Sequence, residues 1–227
     1  MQPIEAMRTL DALDIDLMLG YNFAKAGGVR QSTFGIAADY RTRKRIYSMG
    51  ASTTINDSNE QSQSQRSNLG LIYTRLWQNR WYVSGNLTFD SNDQLGLDLR
   101  SSLGASGGRY IIQSNSMLLD LRGGLQFSRE HLKENRDTVK SIEALFTANW
   151  DWFRYDIPEL DWSTTFQVIP NLTDRGRVRA NFDTTLAWKI INDLKLGISF
   201  YSSYDSKPPE QASENDYGVN TNVSYKF

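Results

Sequence analysis

Apolar and polar side chains alternate along this chain with a period of two. In LDIDLMLGYNF, the residues Leu13, Ile15, Leu17, Leu19, Tyr21 and Phe23 fall on one side, and Asp14, Asp16, Gly20 and Asn22 on the other. That is the pattern of a strand with one apolar face. The same beat returns at 34–40, 47–55, 69–73, 81–89, 95–99, 117–127, 142–150, 160–168, 178–188, 194–200 and 217–225. It predicts an all-β chain of about twelve strands, many long enough for the roughly 9–11 residues with which a tilted strand crosses a bilayer.

The segments between these strands differ in length, in a regular order. Every second connection is short, at 41–45, 78–80, 113–116, 156–159 and 191–193, whereas 56–67, 130–140 and 205–216 are long and polar. Short turns at one end and long loops at the other predict a transmembrane antiparallel up-and-down β-barrel with periplasmic turns and extracellular loops. An even strand count places both termini on the periplasmic side. Residues 1–12 are then a periplasmic segment and 13–227 the barrel. The opening MQPIEAMRTLDALD has neither the basic nor the apolar region of a signal peptide, so an exported chain would be numbered from after a removed signal or lie within a longer precursor.

Alternation alone does not say which face is outside, because a soluble barrel alternates with its apolar side inward. The tryptophans bear on that choice. Trp77, Trp81, Trp150, Trp152, Trp162 and Trp188 all fall next to short turns, as an aromatic girdle at one membrane interface requires. With the apolar face on lipid, the polar face becomes a lumen of nearly balanced charge. Its candidate lining residues are Asp98, Arg100, Asp120, Arg122, Arg177, Arg179, Asp183 and Lys189. The arginines and Lys189 are expected to meet Asp98, Asp120 and Asp183 across it. A barrel of about twelve strands lies between the filled interior of about 8 and the aqueous channel of about 16–18.

Composition removes other classes. Mean hydropathy is −0.52, and no apolar run approaches the roughly 18 residues of a spanning helix. The formal net charge of −1 offers no general field for nucleic acid. Cysteine is absent and His131 is the only histidine, so no metal site, cofactor or catalytic residue is expected. His131 is read as a solvated loop residue. Paired carboxylates such as Asp14 with Asp16 are read as structural, GASGG at 104–108 as a strand bend, and NDSNEQSQSQ as a polar loop.

Longer stretches carry a resemblance. The segments RLWQNRWYVSGNLTFDSNDQLGLDLRSSLGASGGRYII, LLDLRGGLQFSRE, QVIPNLTDRGRVRANFDTTLAWKIINDLKLGISFYSSYDSKPP and the closing VSYKF resemble the YdiY-like family. Its members are bacterial outer-membrane proteins of largely unknown function, some labelled salt-stress-induced. LGLDLR (95–100) and YDSKPP (204–209) are the most specific pieces, and AKAGGVRQS departs from the family's usual first hairpin. The resemblance implies contact with outer-membrane lipid and lipopolysaccharide. It also implies insertion by the barrel-assembly machinery, which reads a terminal aromatic strand, here Tyr225 and Phe227. Two functions stay open: a narrow channel for ions or small solutes, and a non-conducting barrel that supports the envelope or anchors a periplasmic or surface protein.

Overall fold

The computed structural model describes residues 12–24, 29–57, 64–133, 138–156, 159–191, 194–208 and 213–226. They form β1 (Ala12–Ala24), β2 (Val29–Arg41), β3 (Arg45–Asp57), β4 (Ser64–Leu76), β5 (Trp81–Asn92), β6 (Leu97–Gln113), β7 (Met117–Leu132), β8 (Thr138–Arg154), β9 (Leu160–Pro170), β10 (Val178–Ile191), β11 (Leu194–Asp205) and β12 (Asn215–Lys226). Each strand pairs antiparallel with the next, and β12 returns to pair with β1, from Asp16 opposite Lys226 to Gly20 opposite Asn222. The sheet therefore has no open edge, the condition under which strands can cross a membrane.

The alternation sorts side chains by chemistry in the inverted sense. Outward positions are large and apolar: Phe34, Leu71, Leu103, Leu125, Phe146, Phe166, Val219 and Val223 are all exposed. Inward positions are polar and buried, among them Thr33, Ser84, Ser102, Gln126, Ser141, Asn220 and Asn222. A water-soluble domain buries the apolar set instead. This is the fold of an outer-membrane β-barrel.

The short turns gather at one end. Residues 42–44 join β2 to β3, a 3-10 turn Gln78–Arg80 joins β4 to β5, and residues 114–116 join β6 to β7. The described ends of β1 and β12, Ala12 and Lys226, lie at that end too, by register with Arg41 and Asp16. Apart from Ala12, the expected N-terminal segment lies outside the described residues, as does Phe227.

At all three long-loop segments strand replaces part of the expected loop, and at 56–67 it does so through Asp57 and from Ser64. β7 continues to Leu132 and β11 to Asp205, so Glu130 and Asp205 are inward strand residues and His131 sits in the sheet opposite Leu99 and Thr138. Their polarity suggested loop because a strand end that faces a polar lumen has the composition of a loop. The start of β6 also differs. The expected outward row Leu95, Leu97, Leu99 is broken, since Leu95 precedes the strand and the register slips between Leu97 and Leu99. One extra residue exchanges the faces. Leu97 turns inward at 2% exposure, and Asp98 is exposed.

Two glycines let the inner wall close up. A Cβ on Gly124 would clash with the Ala105 carbonyl oxygen, and one on Gly108 would clash with the Tyr82 ring. Only glycine permits that approach between β6 and its neighbours.

Candidate functional site

The lumen is crossed by a layer of ion pairs near the long-loop end. β6 carries Arg100 and its neighbour β7 carries Glu130 directly opposite, and Arg100 Nε donates to Glu130 Oε1 at 2.8 Å. The other Glu130 oxygen accepts from Arg177 at 3.0 Å. Arg177 immediately precedes β10, and β8 and β9 separate β10 from β7 in the sheet. This contact therefore runs through the interior and not along the wall. Arg177 also grips Asp205 of β11 with two bonds, Nε to Oδ1 at 3.0 Å and Nη2 to Oδ2 at 2.6 Å. The paired geometry fixes the direction of the guanidinium as well as its charge.

A second unit adjoins the first. Glu143 of β8 has no exposed surface, and one of its oxygens accepts from Arg179 Nη2 at 2.5 Å, Gln126 Nε2 at 2.8 Å and Ser128 Oγ at 2.6 Å. Ser128 in turn shares a hydrogen bond with Ser102 at 3.0 Å. Arg179 and Glu143 again bridge strands that are not neighbours, with β9 between them. A third link joins β5 to β12, where Asn92 Nδ2 donates to Asp216 Oδ2 at 2.6 Å. Arg66 of β4 lies 3.9 Å from Asp216, with its guanidinium 4.5 Å from the centre of the Tyr201 ring.

Arg100, Arg177 and Arg179 thus face Glu130, Asp205 and Glu143, all nearly buried. Buried ions of this kind tolerate desolvation only because each has partners of opposite sign. Beside and below the layer lies a cavity of about 480 Å³. Its lining mixes hydroxyls and amides (Thr33, Thr54, Asn68) with ions (Asp183, Arg100, Arg179). Polar surface of this kind holds water.

A smaller cluster stands toward the short turns. The Tyr82 hydroxyl donates to Asp120, which also accepts from Asn149 Nδ2 at 3.1 Å, and the Tyr82 ring packs 5.1 Å from that of Tyr110. Nearer the rim, Lys195 pairs with Asp161, and Lys189 with Glu159 at 3.2 Å.

The structure brings together some of the residues expected to line the lumen and separates others. Arg100, Arg177 and Arg179 meet in the layer, and Asp183 lines the cavity. Arg122 faces inward without an ion pair among the described residues, and its buried Nε has no partner. Lys189 belongs to the rim. Asp98 is outside the lumen, beside His131 and Lys133 at the long-loop end, because the β6 bulge reversed its face. The expected pairing of the arginines with Asp98, Asp120 and Asp183 gives way to pairing with Glu130, Glu143 and Asp205. None of those three stood among the expected site residues. Continued alternation through Ser128 and Glu130, and through Ser203 and Asp205, was the signal that could have found two of them.

The six tryptophans all lie at the short-turn end. Trp77, Trp81 and Trp162 are exposed, Trp152 stands opposite Trp162, and the Trp150 and Trp162 rings meet edge to face at 4.9 Å. Trp188 is level with Leu160 and Leu196 beside the β10–β11 turn. Tyr225 is exposed on the outer wall of β12.

Comparison with known proteins extends this picture. The family described as "Protein of unknown function, DUF481" matches residues 18–227. No curated protein matches the sequence. Among solved structures, the NanC porin superposes with a TM-score of 0.55 at 8% identity, covering 95% of this chain and 99% of that one. The COG4313 outer membrane channel from Pseudomonas putida F1 gives 0.51 at 10% identity, with 97% of each chain covered. The translocator domain of the autotransporter NalP from Neisseria meningitidis gives 0.51 at 14%, with 97% and 90% covered. At such identities the likeness is one of fold.

Proposed function

Because the chain belongs to the DUF481 family of proteins of unknown function, we propose its role from its own geometry: a narrow, weakly selective passage for ions or small polar solutes across the bacterial outer membrane. The short turns and both chain ends face the periplasm in this reading, and the tryptophans mark the periplasmic interface. Tyr225 and Phe227 serve assembly by the barrel-assembly machinery, and the outer wall meets lipid and lipopolysaccharide. The barrel carries out no catalysis.

The observation that carries the reading is the cavity of about 480 Å³, lined by polar and charged side chains and bounded by the charged layer. Its lining offers both signs of charge to a passing ion, while the layer leaves little cross-section for anything large. Paired charges lining a constriction act on passage by replacing part of the solute's hydration.

The layer also supports a second reading. Contacts between strands that are not neighbours brace the barrel from within, as a non-conducting barrel for envelope integrity or for holding a periplasmic or surface protein requires. Conductance of the purified protein in a planar lipid bilayer separates the two. Small discrete current steps are expected for the channel, and a silent membrane at matched protein insertion supports the brace.

A further inference from the structure

The outer wall at the short-turn end has a charge pattern that the lumen does not explain. Arg45 of β3 and Arg75 of β4 are direct cross-strand partners, and both are exposed. Two residues along the same strands, Tyr47 and Tyr73 are paired in the same way and face outward. The arginines therefore also face outward, one row closer to the turns. Like charges directly opposite each other destabilise a sheet. Among the described residues no carboxylate lies within ion-pair distance of either, nor of Arg43, Lys44 or Arg80 in the adjoining turns. Arg80 also holds a left-handed backbone, φ 65, which glycine or asparagine adopts more readily. Turn chemistry does not call for an arginine there.

Below this cationic row the wall is hollowed. A groove of about 500 Å³ runs along the outside between Leu13, Tyr40, Met49, Leu71, Leu87 and Leu103. Tyr40, Tyr47 and Tyr73 form its side nearest the arginines, a row of tilted rings with centres 6.1 and 5.2 Å apart. Gly85 supplies an open stretch of floor beside Tyr73: a Cβ there meets nothing closer than the Gly104 carbonyl oxygen at 3.9 Å.

We propose that this is a binding site for one anionic glycerophospholipid of the leaflet on the short-turn side, its phosphate held between Arg45 and Arg75 and an acyl chain laid in the groove. The phosphate removes the repulsion of the arginine pair, and guanidinium groups match its oxygens with two bonds each. A zwitterionic lipid is a poorer fit, because its ammonium would stand among unpaired cations. The inference rests on the barrel standing in a membrane.

The test is native mass spectrometry of the detergent-purified protein titrated with phosphatidylglycerol and phosphatidylethanolamine of matched chains. A gel comparison of boiled and unboiled samples is run alongside. Wild type is expected to retain phosphatidylglycerol in preference. Arg45→Gln with Arg75→Gln should reduce that retention about tenfold, toward the phosphatidylethanolamine level. Gly85→Leu, which keeps both cations and fills the groove, should weaken both lipids. Equal retention of the two lipids by wild type overturns the proposal, as does unchanged phosphatidylglycerol retention in the heat-modifiable double variant. A wild type that shows no heat-modifiable band and stays soluble without detergent overturns the membrane reading, and this site with it.

Discussion

Arginine occupies two regions of this barrel on opposite terms. Inside, near the long loops, Arg100, Arg177 and Arg179 are each matched to a carboxylate and nearly removed from solvent. Outside, near the short turns, Arg45 and Arg75 face each other with no described acid in reach. Each interior arginine has its carboxylate within the chain, although Glu143 Oε1 and Arg179 Nε are left without a hydrogen bond, so these charges serve the barrel's own cross-section. The exterior row has no matching acid among the described residues. Burial makes the difference matter: inside, an unpaired ion has no water to turn to, whereas outside, solvent or a headgroup can satisfy it.

This contrast is broken most severely by removing one inner acid. Glu143→Ala leaves Arg179 buried without its carboxylate and should cost about 3–5 kcal/mol. The check is the temperature at which the folded gel band disappears, which should fall markedly while the same measurement on Arg45→Gln barely moves. A smaller effect is expected from an inner hydrogen bond with an uncharged donor. Tyr82→Phe strips the hydroxyl from buried Asp120, which keeps Asn149, and should cost about 1–3 kcal/mol by the same assay. Least of all, Arg45→Gln in detergent without anionic lipid should stay within about 0.5 kcal/mol of wild type. A slight stabilisation from relief of the arginine repulsion would sharpen the contrast further, and a loss comparable to Glu143→Ala would abolish it.

The fold was legible because period two survives any amount of substitution within each face. Among the described residues most outward positions, such as Phe34, Leu71, Leu103, Phe146 and Val219, are large and apolar. The tryptophans, each beside a short turn, then set that end apart from the other. The layer was less legible for two physical reasons. Glu130 and Asp205 sit where strand passes into loop, and polar composition alone cannot tell a lumen-facing strand end from solvent-facing loop. A single bulge at Leu97–Leu99 turned Asp98 from the expected lumen to the outside, and such slips leave no mark in the alternation except the break itself. Partner choice across the lumen was beyond sequence altogether. Arg179 meets Glu143 because β8 and β10 flank β9 on a curved wall, a juxtaposition no spacing along the chain encodes.

Whether the charged layer governs a conducting lumen is tested most directly by single-channel recording of wild type beside Arg100→Ala and Arg179→Ala in the same planar bilayers. The account predicts small steps for wild type and, in both variants, larger steps with ion selectivity shifted toward cations. Silence in all three, with heat-modifiable barrels inserted, would contradict it.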